Sequence, residues 1–203
     1  MSFRWVITQL EQKEAVSNLM EMLNVPESIA RLLAIRGISS FEDAKQFFRP
    51  SLNELYDPFL MKDMDRASER LSLAIRSNEK VLVYGDYDVD GTTATAIVYN
   101  FLKEFGVVVD YYIPHRFKEG YGINPEGVQY AFEMGAQVIV SVDCGITAIE
   151  EAEEIKALGM DLIICDHHTI GPMLPDAYAV LDPKREDCSY PFDGLSGAGV
   201  GFK

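Results

Sequence analysis

Basic residues are scarce in this chain: 18 Lys and Arg stand against 32 Asp and Glu, a formal net charge of −14 over 203 residues. Affinity for a phosphate backbone comes chiefly from Lys and Arg. Either the substrate is not a polyanion, or bound metal ions and residues outside this chain supply the attraction. Cysteine is scarce too. Cys144, Cys165 and Cys188 form an odd set without a Cys-x-x-Cys pair, which argues against a disulfide framework and against a structural zinc site. No apolar run approaches the roughly 20 residues of a membrane span. The opening Met1-Ser2-Phe3-Arg4-Trp5 lacks the apolar core and cleavage site of a signal peptide. The expectation is a cytoplasmic protein with reduced thiols and no membrane association.

With 48% hydrophobic and 25% charged residues, the chain reads as globular, long enough for one substantial core or a core with a small accessory domain. Its composition changes near residue 78. Before that point apolar residues recur at helical spacing, as in Ala15, Leu19, Met22 and Leu23, then Ile29, Leu32 and Leu33. Ser40-Phe41-Glu42-Asp43 reads as a capping box opening a helix to Phe48, and Pro50 ends it. A last helix is expected from Asp63 to Ser77, with Ala67, Leu71, Ala74 and Ile75 as its buried stripe. Residues 1–78 thus form a helical N-terminal segment to which no chemistry is assigned.

From residue 79 the pattern alternates. Apolar runs at Val81–Tyr84, Val107–Ile113, Val138–Val142, Leu162–Cys165 and Ala177–Leu181 read as strands. Helical stretches at Thr92–Phe105, Pro125–Met134 and Ala148–Leu158 separate the first four. The expected fold class is α/β, a mainly parallel sheet of about five strands with helices on both faces. Ligands in such sheets bind at the carboxyl ends of strands.

The polar signatures fall at those ends. Asp86, Asp88 and Asp90 follow the first strand, Asp143-Cys144-Gly145 the third, and Asp166-His167-His168 the fourth. Alternate side chains of an extended segment share a face, so the three carboxylates of the first set are expected to converge, at a cost that a cation would relieve. Carboxylate oxygens with imidazole nitrogen suit Mn²⁺ or a similar divalent ion, and two ions need more ligands than one strand supplies. Gly91 is expected to let the chain leave the strand, and Thr92 or Thr93 to cap the next helix.

Asp86-Tyr87-Asp88-Val89-Asp90-Gly91, Pro114-His115-Arg116, Gly120-Tyr121-Gly122, Asp143-Cys144-Gly145, Asp166-His167-His168 and Ser196-Gly197-Ala198-Gly199-Val200-Gly201 together resemble the ordered motifs of the DHH phosphoesterase superfamily. Within it they resemble the RecJ-type branch, single-strand-specific exonucleases that degrade DNA from the 5′ end. The motifs span about Val81 to Lys203, and Pro50-Ser51-Leu52 and Asp57-Pro58-Phe59 in the prefix are similar as well.

The resemblance implies roles. Asp88 and Asp90 would be metal ligands, Asp143 would bridge two ions, and His167 would complete the coordination of one. Asp86 would ligate or support the turn. Asp166 would hold the imidazoles by hydrogen bonds, and His168 would face the scissile phosphate. His115 and Arg116 would bind a neighbouring phosphate, and Tyr121 would stack on a base. Gly197 and Gly199 would offer backbone N–H groups to a phosphate at a helix start. The implied cofactors are two Mn²⁺ ions, with Mg²⁺ as the alternative.

The resemblance also implies a further metal-binding Asp and further domains beyond Lys203, so the chain is expected to be a fragment, weak or inactive alone. The implied partners are single-stranded DNA, the remaining domains of the same polypeptide, and a helicase or single-strand-binding protein. Two other functions stay open: a small-substrate DHH hydrolase acting on short oligonucleotides, cyclic dinucleotides or pyrophosphate, and a non-catalytic member that binds DNA or a partner. Tyr84 stands where the small-substrate branch is expected to carry His.

Overall fold

The computed structural model describes Arg4, Val6 and residues 13–203. Apart from Arg4, the stretch Met1-Ser2-Phe3-Arg4-Trp5 lies outside the described residues. Two compact units are present, Met1–Leu55 and Tyr56–Lys203.

Among its described residues the first unit holds three α-helices, α1 (Lys13–Leu23), α2 (Glu27–Ile35) and α3 (Phe41–Phe48), and a short 3₁₀ turn (Leu52–Glu54). Their shared core is Val16, Leu19, Ala30, Leu33, Ala34, Ile38 and Ala44. Leu19 and Leu33 are buried as their spacing suggests, whereas Met22, Ile29 and Leu32 are exposed. Small alanines take the contact positions. The expected capping box forms at α3: Ser40 Oγ accepts from Asp43 N at 3.1 Å, and the Asp43 carboxylate accepts from Ser40 N at 3.2 Å.

The second unit begins with a short 3₁₀ turn (Pro58–Leu60) and α4 (Met64–Ser77), followed by β1 (Lys80–Tyr84), α5 (Val89–Glu104), β2 (Val108–Tyr112), α6 (Pro125–Glu133), β3 (Val138–Val142), α7 (Ile149–Ala157), β4 (Asp161–Cys165), β5 (Ala179–Leu181) and α8 (Gly197–Phe202). The strands form one sheet in the order β2-β1-β3-β4-β5, and every pairing is parallel.

Strand alternation sorts the core into two layers. Val81, Val83, Val138, Val140 and Ile163 face α4, α5 and α8 in one cluster. Leu82, Tyr84, Ile139, Leu162 and Ile164 face α6 and α7 in the other. Central strands buried on both faces explain why β3, apart from the buried Ser141, reads as an apolar run. Helix α4 belongs to this unit, with Ala67 and Ala74 buried and Leu71 and Ile75 packed on the first layer. The change of composition at residue 78 therefore marks a change of secondary structure inside the unit.

The three crossover helices close alike. Gly106, Gly135 and Gly159, all with positive φ, follow α5, α6 and α7, and the next residue donates back into the last turn, as Ala136 N does to Ala131 O at 3.0 Å. Each crossover returns the chain to the sheet. Strand order reverses between β1 and β3, which makes the crevice at their carboxyl ends the expected ligand site.

One local expectation changes. Helix α5 starts at Val89, three residues before Thr92, with Asp88 as its N-cap accepting from Gly91 N at 2.9 Å. The segment Asp86–Asp90 is therefore not extended throughout. Thr92 and Thr93 lie inside the helix, where their hydroxyls bond Asp88 O and Val89 O. Asp is a strong N-cap residue, and that local preference won over continuation of the strand.

Candidate metal centre

Three strand ends deliver the polar groups, and each is tied to its neighbour just past the last strand residue. Gly85 N donates to Tyr112 O, Asp143 N to Cys165 O, and Asp166 N to Leu181 O, each at 2.9 Å. The sheet register is thus carried into the site.

Asp143, directly after β3, adopts φ +61°, a conformation that Asp tolerates better than most residues. It is 2% exposed, and its Oδ1 lies 3.0 Å from His167 Nε2 without making a well-aligned hydrogen bond. Burial, with the charges of Asp90 and Asp88, pushes its carboxyl up to about 7. Asp86 is equally buried, with an unpartnered Oδ1, and burial raises its pKa too. Buried carboxylate oxygens without partners are costly.

Asp143 belongs to two sets of candidate ligands. It groups with Asp86 and Asp88 on one side and with His167 and His168 on the other, the ligand atoms of each set lying within 4.8 Å of one another. The donor chemistry, carboxylate oxygen with imidazole nitrogen, fits Mn²⁺ or a related divalent ion. The orphaned oxygens and the raised pKa of Asp143 fit a site built to receive positive charge.

Asp90 is placed differently from Asp86 and Asp88. Its carboxylate lies 3.6 Å from His167 Nε2 but accepts from Gly197 N at 2.7 Å and Ala198 N at 2.8 Å. It joins the start of α5 to the start of α8. Ser196 Oγ accepts from Gly199 N at 3.1 Å. The amides of Gly197 and Gly199, expected to face a phosphate, are thus committed to Asp90 and Ser196. Gly197 has another reason to be glycine: a Cβ there would lie 2.2 Å from Asp143 Oδ1.

Of the two imidazoles that Asp166 was expected to hold, its carboxylate bonds that of His168 and meets His167 through the backbone N–H. Its Oδ1 accepts from His167 N at 2.7 Å and His168 N at 3.2 Å and bonds His168 Nδ1 at 2.7 Å, while Oδ2 accepts from Ile146 N at 2.9 Å. Burial disfavours the charged imidazole of His168, but the bond to Asp166 outweighs it and the pKa rises. Behind this loop Lys184 Nζ donates to the His167 carbonyl. Lys184 and the fully buried Asp182 are site neighbours that sequence reading missed, because they meet the imidazole loop only through folding.

Beside the cluster runs a row of rings and charge. Tyr121 donates from its hydroxyl to Asp143 O at 3.2 Å, and its ring lies 5.7 Å from that of His168. Tyr87 meets Tyr121 edge to face at 6.5 Å, and the Arg116 guanidinium sits 5.2 Å over the Tyr87 ring. Arg116 and His115 are exposed. Tyr87 was not singled out from sequence, although its position between two of the acids was a signal. Cys144 and Cys165 are buried free thiols whose pKa burial pushes up, consistent with packing rather than ligation.

Residues 80–203 match the family model described as DHH family, N-terminal domain. The chain belongs to the DHH family. It is 44% identical over 200 residues to the single-stranded-DNA-specific exonuclease RecJ of Bacillus subtilis (strain 168), covering 98% of this chain and 25% of that protein. It is 35% identical over 195 residues to RecJ of Escherichia coli (strain K12), covering 96% and 33%. Among solved structures it is similar to RecJ in complex with Mn²⁺ from Thermus thermophilus, with TM-score 0.72 and 30% identity over 98% of this chain and 27% of that one. A second exonuclease RecJ bound to manganese matches with TM-score 0.66 and 36% identity, covering 73% and 37%. This DHH-family chain therefore spans a quarter to a third of the length of the curated relatives named here.

Proposed function

We propose that this chain carries part of the catalytic centre of a metal-dependent exonuclease that hydrolyses single-stranded DNA from its 5′ end, in repair or recombination. In this reading residues 79–203 are the DHH phosphoesterase domain and 1–78 its helical N-terminal segment. The observation that carries the proposal is Asp143, shared by both candidate ligand sets and left with an unpartnered buried oxygen. Its similarity to single-stranded-DNA-specific RecJ exonucleases, and to RecJ structures with manganese bound, supports the substrate and the ion.

Asp88, Asp143 and His167 would hold divalent ions, Mn²⁺ first and Mg²⁺ as the alternative, with Asp86 and Asp90 at the margins. Such ions supply a hydroxide nucleophile near neutral pH and stabilise charge on phosphoryl oxygens. His168, held by Asp166 with its charged form favoured, would donate a hydrogen bond to a phosphoryl oxygen. Arg116, with His115 near it, would bind a neighbouring phosphate of the strand, and Tyr121 would contact a base. The −14 charge of the chain leaves metal ions and the remainder of the polypeptide to attract DNA. Because the substrate is single-stranded, duplex must first be opened. A helicase that opens it, or a single-strand-binding protein that holds the opened strand, would be the partner in the cytoplasm.

The small-substrate hydrolase is disfavoured by Tyr84. Its fully buried hydroxyl donates to Gly122 O at 3.1 Å and offers no ligand to an ion. The discriminating assay gives the full-length protein Mn²⁺ with single strands bearing free or blocked 5′ ends, beside a cyclic dinucleotide and pyrophosphate. Stepwise release of 5′ nucleotides from free ends is expected. Hydrolysis of the small substrates alone would refute the proposal.

A further inference from the structure

Tyr121 stands in the site on a loop that its own surroundings confine little. Gly120 and Gly122 flank it with φ of +85° and +86°, and a Cβ at either would meet no atom within 4 Å. Glycines in open space have much conformational freedom to lose. Besides the Tyr121 hydroxyl, which donates to Asp143 O, two bonds tie the loop to the sheet. Tyr84, the last residue of β1, donates its hydroxyl to Gly122 O at 3.1 Å. Tyr112, the last residue of β2, donates to Glu119 Oε2 at 2.8 Å.

These tyrosines are register partners in adjacent strands, and their ring centroids are 5.3 Å apart. Helix α6 begins around the first of them: a Cβ on Gly127 would lie 2.3 Å from Tyr84 Cε2. A phenylalanine would fill the same core volume. The buried hydroxyl gains its place through the bond to Gly122, while Tyr121 completes the chain of contacts by donating to Asp143 O and packing against His168.

We propose that Tyr84 and Tyr112 are positioning residues: they hold the loop 119–122 so that Tyr121 is set against His168, and they influence substrate binding through Tyr121 alone. The kinetic part of this inference rests on the exonuclease reading above. The structural part does not.

Tyr84→Phe, Tyr112→Phe and the double variant in the full-length protein test it, because each removes one hydroxyl and keeps the ring. Hydrogen exchange of amides 119–123 is expected to rise about fivefold per lost bond, the scale of one neutral hydrogen bond, while β1 and β3 stay protected and Mn²⁺ affinity stays within about twofold. On single-stranded DNA, KM is expected to rise by about the same factor with kcat unchanged. Adding Tyr84→Phe to Tyr121→Ala should change KM no further. Unaltered loop exchange would overturn the proposal, as would a further rise of KM on the Tyr121→Ala background. If the wild-type protein cleaves no single strands, the exonuclease reading fails, and loop exchange still decides whether the tyrosines hold Tyr121.

Discussion

Asp143 Oδ1 and His167 Nε2 face each other at 3.0 Å across the ends of β3 and β4. That pair is the junction of the two candidate ligand sets. Asp143→Asn keeps the shape, and Asn accepts positive φ at least as readily as Asp, so the variant should fold with undiminished thermal stability. With the bridging charge gone, Mn²⁺ affinity should fall by more than about tenfold, roughly 1.4 kcal/mol. Isothermal titration of both proteins checks this, and equal affinities would rule out the bridging role.

Gly197 and Gly199 should respond oppositely to the same change. A Cβ at 197 would lie 2.2 Å from Asp143 Oδ1, whereas one at 199 finds Leu195 Cδ2 at 3.4 Å as its nearest atom. Gly197→Ala should cost about 1–3 kcal/mol, the range of overpacked sites, and weaken metal binding by displacing Asp143. Gly199→Ala should be neutral or stabilise by up to about 1 kcal/mol, since alanine favours a helix interior. Chemical denaturation distinguishes these outcomes.

Asp90→Ala should destabilise the metal-free protein. The carboxylate bonds two amides at the start of α8, and losing such a cap costs about 1–2 kcal/mol. Asp86→Asn, which makes no equivalent link, should leave metal-free stability intact or raise it. Thermal melts in the presence of a chelator compare the two.

A pH dependence follows from Asp182. It is fully buried with an unpartnered Oδ2, and burial, with the charge of Asp166, pushes its pKa up to about 6 from 3.8. A raised carboxyl favours the folded state most while protonated, below its unfolded pKa, and that stability is lost as pH rises through about 6. Asp182→Asn removes the titration. It should match wild type at pH 4 and exceed it at pH 7 by about 1–3 kcal/mol, roughly 1.4 for each pKa unit. A constant difference across that range would contradict the assignment.

Much of this was legible in the sequence because it depended on local pattern. Alternating apolar residues such as Val81 and Leu82 sort to opposite faces of the sheet, and the capping box at Ser40 formed as read. Strand-end acids at 86, 88, 143 and 166 converged because a parallel sheet gathers its carboxyl ends. What sequence did not show was which way each acid turns. Asp88 caps α5 and Asp90 reaches α8, the second choice made by backbone amides 107 and 108 residues away. Long-range partners were likewise hidden: Arg185 bonds Asp63 across 122 positions, and Tyr87 meets Arg116 and Tyr121 only once β1 and β2 are paired.

The ends of β1, β3 and β4 are proposed to form a divalent-metal centre. Anomalous diffraction at the manganese edge, from crystals of the full-length protein grown with Mn²⁺, tests it most directly. Anomalous density bounded by Asp88, Asp143 and His167 is expected. Manganese bound elsewhere, with those side chains unligated, would contradict it.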